Sequence, residues 1–288
     1  MSRTARAAVI VAAAVVVVVL AGVAAVVLRS DDESPGGATA TTAATASCAA
    51  ATPERLAVEV VRTLPHDPGA YTQGLVVADG RLFESTGREG ASTVREVDPG
   101  SGEVLDRAAL PPDQFAEGLT MDPQGRLVQL TWLDGLAYVR DPDSLEVVEE
   151  YSYVGEGWGL TTLGDGTLVM TDGSDVLTLR DPEDFTELEA RVVQRVGGGA
   201  DLLNELDWDG EWLWANRYQT DELLRIDPEC ATVTGVADLA QLREAAAAEA
   251  ASNGTPIDVT NGIAHLPGTD RYLVTGKWWP TMYEVRIS

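Results

Sequence analysis

The sequence predicts an all-β fold, a five-bladed β-propeller, and three observations carry that expectation. A short cassette recurs five times, as Gln73-Gly74-Leu75, Glu117-Gly118-Leu119, Trp158-Gly159-Leu160, Asn204-Glu205-Leu206 and Asn261-Gly262-Ile263, at steps of 44, 41, 46 and 57 residues. A period of roughly 40–45 residues holding four short strands is the repeat of a propeller blade. Each cassette opens an apolar strand that reverses at a Gly-, Asp- or Pro-rich turn, from Asp79-Gly80 in the first unit to Pro267-Gly268 in the last. The first four units then add an Asp-Pro turn, at Asp98, Asp141, Asp181 and Asp227, where proline supplies a fixed φ and no ladder donor is needed.

Ahead of the repeats, Ala7 to Leu28 is a run of 22 uncharged residues, nearly all Ala and Val, long enough to span a bilayer core. Arg3 and Arg6 precede it, and Asp31, Asp32 and Glu33 follow, a bias that places the N-terminus in the cytoplasm and the rest outside. Residues 1–29 therefore read as a transmembrane anchor in the cell membrane. A cleaved signal peptide, leaving a secreted protein, is the competing reading, and the length of the apolar run favours the anchor. Residues 30–52 are Ala, Thr, Ser, Gly and acid, too poor in large apolar groups to fold, and read as a flexible, disordered linker. Residues 53–288 remain for the propeller, enough for five blades and too few for seven.

Within that body the last unit is short. It holds three strands, and the missing outer strand is available in Leu56 to Thr63 at the opposite end of the domain. Pairing the two closes the ring and removes two open sheet edges. The long 57-residue step contains Asp238 to Ser252, rich in strong helix formers and ending at Asn253-Gly254 with Pro256 beyond, which predicts an inserted helix before the last blade.

A formal charge of −26 argues against nucleic acid and anionic lipid as partners of the body. Two cysteines in an exported chain, Cys48 and Cys230, most simply form one disulfide, placed to pin the ring closure. With only two histidines, His66 and His265, a His-based zinc site or a Ser-His-Asp triad has little support. His66, between Pro65 and Asp67, reads as the brace of a turn. No phosphate loop or dinucleotide fingerprint is present.

Equivalent positions in a propeller face one axis, so the cassette heads Gln73, Glu117, Trp158, Asn204 and Asn261 converge on one mouth. The ends of the second strands add Trp132 and Lys277 beside them. A carboxylate, an ammonium, amides and indoles together suit a small ligand. Glu117 and Lys277 are the sharpest signals: Glu117 occupies a position that elsewhere takes amides or an aromatic, and Lys277 interrupts an apolar stretch where a charge needs a partner. Asn204 and Asn261 fit hydrogen bonding within the ring equally well, Trp132 and Trp158 also fit blade packing, and Trp212, Trp214 and Trp278 are assigned to packing.

In order along the body, Pro65-His66-Asp67 running to Gln73-Gly74-Leu75, Phe115-Ala116-Glu117-Gly118, Leu130-Thr131-Trp132, Gly157-Trp158-Gly159, Leu203-Asn204-Glu205, Trp214-Ala215-Asn216 and Thr275-Gly276-Lys277-Trp278-Trp279 resemble the plant and bacterial (type I) glutaminyl cyclases. The resemblance spans about residue 56 to the end. It implies a five-bladed propeller that turns N-terminal glutamine of peptides or proteins into pyroglutamate, releasing ammonia without a catalytic metal. It also implies Glu117 as acid/base, Lys277 as its electrostatic partner, Gln73 and Asn204 as substrate-binding amides, and Trp132 and Trp158 as walls. A structural calcium or other ion in the channel is left open. Where the family pattern leads one to expect tryptophan, shortly after Trp214-Ala215-Asn216, this chain has Tyr218, which makes one wall smaller and more polar. Two rival readings remain: a calcium-dependent lactonase with Glu117, Asn204 and Asn261 as axial oxygen ligands, and a non-enzymatic surface propeller that binds protein or glycan.

Overall fold

Each repeat folds as one antiparallel sheet. The computed structural model describes Cys48 and residues 51–288; the expected anchor at 1–29 and all but Cys48, Ala51 and Thr52 of the linker lie outside the described residues. The strands that carry the cassettes, Thr72–Ala78, Ala116–Met121, Leu160–Thr162, Leu203–Trp208 and Thr260–His265, each start one blade. In the first four blades three further strands ladder outward in chain order. Neighbouring inner strands touch in cyclic order from blade one through blade five and back to one, so the ring is closed.

The closure has two parts. Blade five takes its outer strand, Val58–Pro65, from the start of the domain, antiparallel to Thr281–Ile287, as the sequence leads one to expect. Just upstream, Glu54–Leu56 pairs in parallel with Thr232–Asp238 and gives blade four a fifth strand. That pairing is not foreseen, because three residues carry too little pattern to signal a strand. The Cys48–Cys230 disulfide then ties the same arm to the outer hairpin of blade four, across 182 residues of sequence. Closing so long a loop removes chain entropy worth about 5 kcal/mol from the unfolded state.

The four Asp-Pro turns share one geometry. Asp98, Asp141 and Asp227 each accept backbone N–H groups two and three residues on, and Asp181 accepts the one two residues on. Four residues after each aspartate the backbone is left-handed, at Gly102, Leu145, Phe185 and Ala231. Only one of these is the glycine that such a φ favours. Leu145 and Phe185 are almost fully buried, so core packing offsets the local strain.

The inserted helix spans Ala240–Asn253 and ends at Gly254 in the left-handed region. Asp238 Oδ1 accepts the Ala240 N–H at its start. Leu242, Ala246 and Ala250, spaced four apart, form its buried face. Among the described residues no helix is long and apolar enough to cross a membrane.

Buried charges complete the frame. Glu84 accepts from His66 Nε2, Thr72 Oγ1 and the Arg95 guanidinium, while Arg95 also reaches Asp67, so His66 does brace the turn. Burial alone would raise the Glu84 carboxyl, but His66 and Arg95 bring it down to about 2. Asp207 lacks a cationic partner and accepts the His265 N–H; burial pushes it up to about 7. Between an unfolded value of about 4 and that folded value, the native chain keeps a proton that the unfolded chain releases, so stability falls as pH rises through this window. Glu84 acts oppositely, its contribution being lost as pH falls toward about 2. Asp207→Asn, which retains an acceptor for His265, is expected to flatten the decline in melting temperature between about pH 5 and about pH 8. Equal slopes for variant and wild type in calorimetry would remove Asp207 as its source.

Candidate active site

Gln73, Glu117 and Asn204 face the cavity from a repeated irregularity of the inner strands. The inner strands of blades one, two, four and five shift register at Thr72/Gly74, Ala116/Leu119, Leu203/Leu206 and Thr260/Ile263. A bulge at the head of a strand re-aims a side chain that regular alternation would send between sheets. The residue after the head has almost no room, since a Cβ on Gly118 would lie 2.6 Å from Leu160 N and one on Gly159 would lie 2.0 Å from Asn204 O. Blade four has Glu205 at this position. Its carboxylate accepts Leu75 N at 3.1 Å and Ile263 N at 2.8 Å, linking blade four to blades one and five.

One cavity of about 620 Å³ opens at this mouth. Glu117 and Lys277 both line it, with Gln73, Asn204, Trp132, Trp158 and Tyr218. Asn261, expected among the substrate-binding groups, does not line the cavity. It is fully buried behind Gln73, donating from Nδ2 to Thr72 O at 2.9 Å and to Gln73 Oε1 at 3.3 Å. Gln73 in turn donates from Nε2 to Glu117 Oε1 at 3.2 Å, so the Asn261 amide sets which end of Gln73 meets the carboxylate. Asn204 Oδ1 is buried without a hydrogen-bond partner.

Glu117 is buried, and burial drives its carboxyl well above the usual carboxylate range; Lys277 pulls it back, and Glu156 pushes it further up. Lys277 is lowered by burial and held up by Glu117 and Asp258. Its Nζ stands 4.7 Å from the centre of the Tyr71 ring and 5.1 Å from that of Tyr218, a cage that compensates a desolvated cation. Backbone bonds between Lys277 and Asp258 and Val259, with Trp278 in the left-handed region, fix the turn that presents it.

Aromatic rings wall the cavity almost continuously. Trp278 packs edge-on against Tyr71, Tyr71 against Phe115, Phe115 against Trp132, and Trp158 against Tyr218, with centroids 4.8 to 6.2 Å apart. Trp278, assigned to packing on sequence grounds, is therefore a cavity wall, with Arg88 over its ring at the rim. Trp214 and Trp212 do pack, the first donating to Asp209 and the second lying under Arg225. Tyr71 and Phe115 escaped the sequence reading although a signal exists: each stands two residues before a cassette head. Glu156 holds the same place before Trp158. Among the described residues no group of three or more His, Cys, Asp or Glu side chains is arranged to hold a metal ion.

Fold and site together define a propeller with an axial, aromatic-walled cavity around a buried carboxylate and ammonium. The family model described as Glutamine cyclotransferase matches residues 36–287, and the chain belongs to that family. It is 37% identical over 233 residues to the glutaminyl-peptide cyclotransferase of Arabidopsis thaliana, covering 80% of this chain and 71% of that protein. The crystal structure of the glutaminyl cyclase of Myxococcus xanthus superposes with a TM-score of 0.75 at 37% identity, over 82% of this chain and 98% of that one.

Proposed function

We propose that the chain is a glutaminyl-peptide cyclotransferase, an acyltransferase that converts the N-terminal glutamine of peptides and proteins to pyroglutamate and releases ammonia. Family membership supports the activity. The observation that carries the mechanism is Glu117, a carboxyl that burial raises well above the usual carboxylate range inside a cavity shared with Lys277.

In the reaction the α-nitrogen attacks the side-chain carbonyl carbon, forming the ring C–N bond. The carboxamide C–N bond then breaks and ammonia leaves. Glu117 takes the proton shed by the attacking amine and returns it to the departing nitrogen, two transfers served best by a carboxyl with a raised pKa. Lys277 stabilises the oxyanion of the tetrahedral intermediate. Gln73 holds Glu117 in place and presents an amide to the substrate, and the orphaned Asn204 Oδ1 accepts a substrate N–H, relieving the penalty of a buried unpaired acceptor. Trp132, Trp158 and Tyr218 keep the glutamine side chain folded over its own amine, an entropic contribution. The amine must be free to attack, so the peptide enters terminus first and its chain leaves through the mouth.

Every step has a side chain of this protein assigned to it, and the reaction as drawn runs without a catalytic metal. Incubating the protein with a glutamine-initiated dipeptide is expected to release ammonia with the matching mass loss, and EDTA is expected to leave the rate unchanged. Glu117→Gln is expected to lower kcat by about 10³-fold while the dipeptide still binds. Substantial turnover by that variant would count against Glu117 as the acid/base.

The apolar run from Ala7 to Leu28 and the Cys48–Cys230 disulfide both support an exported body tethered to the membrane, since disulfides persist in oxidising compartments. The full chain expressed in cells is expected in the membrane fraction, with its body digested by protease added from outside. Recovery of the body in the cytoplasm would end that assignment.

A further inference from the structure

The cyclase reading leaves Glu156 without a role, yet its position is built with care. Its Oε2 accepts Trp132 Nε1 at 2.7 Å and Trp158 Nε1 at 3.0 Å. Trp132 stands at the end of the second strand of blade two and Trp158 at the head of blade three, so one oxygen joins cavity walls from two blades. The loop that carries Glu156 is pinned at both ends. Tyr153 N bonds Gly135 O at 2.8 Å, Gly157 N bonds Trp132 O at 3.0 Å, and Tyr153 Oη donates to Thr131 O. A Cβ on Gly157 would collide with that phenol, so the backbone can pass only with glycine there.

We propose that Glu156 is a positioning residue for cyclisation, clamping the Trp132 and Trp158 indoles at the angle that folds the glutamine side chain and setting the charge felt by Glu117. The proposal rests on the cyclase reading and deepens it. Other buried indoles here are held by groups away from the cavity: Trp214 donates to Asp209, and Trp279 to Asp258 O. A carbonyl would have satisfied the two cavity indoles equally well. The carboxylate adds a negative charge that pushes Glu117 upward. The other titratable groups facing Glu117 are Lys277, whose charge acts in the opposite sense, and the Tyr71 and Tyr153 phenols. Removing the Glu156 charge therefore lowers the Glu117 value and extends activity to more acidic pH.

The test compares Glu156→Gln and Glu156→Leu with the wild-type full chain on a glutamine-initiated dipeptide. The Gln variant keeps an acceptor oxygen, so KM is expected to stay within about twofold while the acid limb of kcat moves to lower pH by up to about one unit. The Leu variant has no acceptor, so KM is expected to rise about tenfold and the near-UV circular dichroism of the indoles to change. An unmoved acid limb in the Gln variant, or a Leu variant with wild-type KM and spectrum, would overturn the proposal. If the Leu variant fails to fold, the pH profile of the Gln variant decides alone. A wild-type protein without turnover would instead remove the cyclase reading, and the near-UV spectra of the two variants would still decide whether the clamp exists.

Discussion

Where the five inner strands meet, the backbone of one blade lies against the backbone of the next, and Leu160 N and Asn204 O occupy the space where side chains of Gly118 and Gly159 would be. This crowding organises the site. A side chain at the second cassette position of blades two and three has nowhere to go, whereas Glu205 of blade four reaches across to blades one and five. In blades one, two and four the bulge turns the head side chain up to the open end. Gln73, Glu117 and Asn204 are therefore brought together by a repeated backbone constraint, and Trp158 joins them from blade three, whose inner strand keeps its register. Their identities are free to differ because the constraint acts on position, and the chain uses that freedom to place a carboxylate, two amides and an indole around one opening.

Three buried glutamates show how environment divides their tasks. Glu84 meets the Arg95 guanidinium and the His66 ring, and its charge is fully compensated. Glu205 is raised by burial and Asp207, and its oxygens accept backbone N–H groups that stitch blade four to blades one and five. Glu117 receives one neutral hydrogen bond from Gln73 and a distributed attraction from a lysine that is itself desolvated. Of the two that burial raises, only Glu117 faces the cavity. A carboxyl poorly compensated in the resting protein is one that gains when a substrate amine brings a proton to it, which is the property a general base needs.

The architecture was legible because it is written five times: period, turns and cassettes repeat, and the deficit of one strand at the end of the chain matches the surplus strand at its start. Glu117 and Lys277 were legible because each breaks a local pattern. Residues that act through geometry alone were harder to read. Asn261 has the sequence context of Asn204, yet it ends behind Gln73, held there by its bonds to Thr72 O and Gln73 Oε1. Trp278 and Trp279 are adjacent and alike, but a left-handed backbone at Trp278 sends the first into the cavity wall while the second is buried under the Asp258 carbonyl. Tyr71, Phe115 and Glu156 each stand two residues before a cassette head, a spacing that becomes informative only once the heads are known to face a cavity. Glu54–Leu56 is too short to announce itself, and its partner strand lies in another blade.

The arm that closes the ring matters to the site for a mechanical reason. Glu117 comes from blade two, whereas Asn204 and Tyr218 come from blade four and Lys277 from blade five. The two charged groups thus approach each other across the axis, with no covalent path shorter than half the propeller. The arm's strand against Thr281–Ile287, its short parallel strand against Thr232–Asp238 and the Cys48 bridge all act on blades four and five. These are the blades that an open ring would release first, because the last has only three strands of its own. Fixing them at the outer edge limits how far Lys277 and Tyr218 can swing relative to Glu117. The rigidity that the chemistry needs at the centre is in this way secured at the rim, by a segment that does not line the cavity.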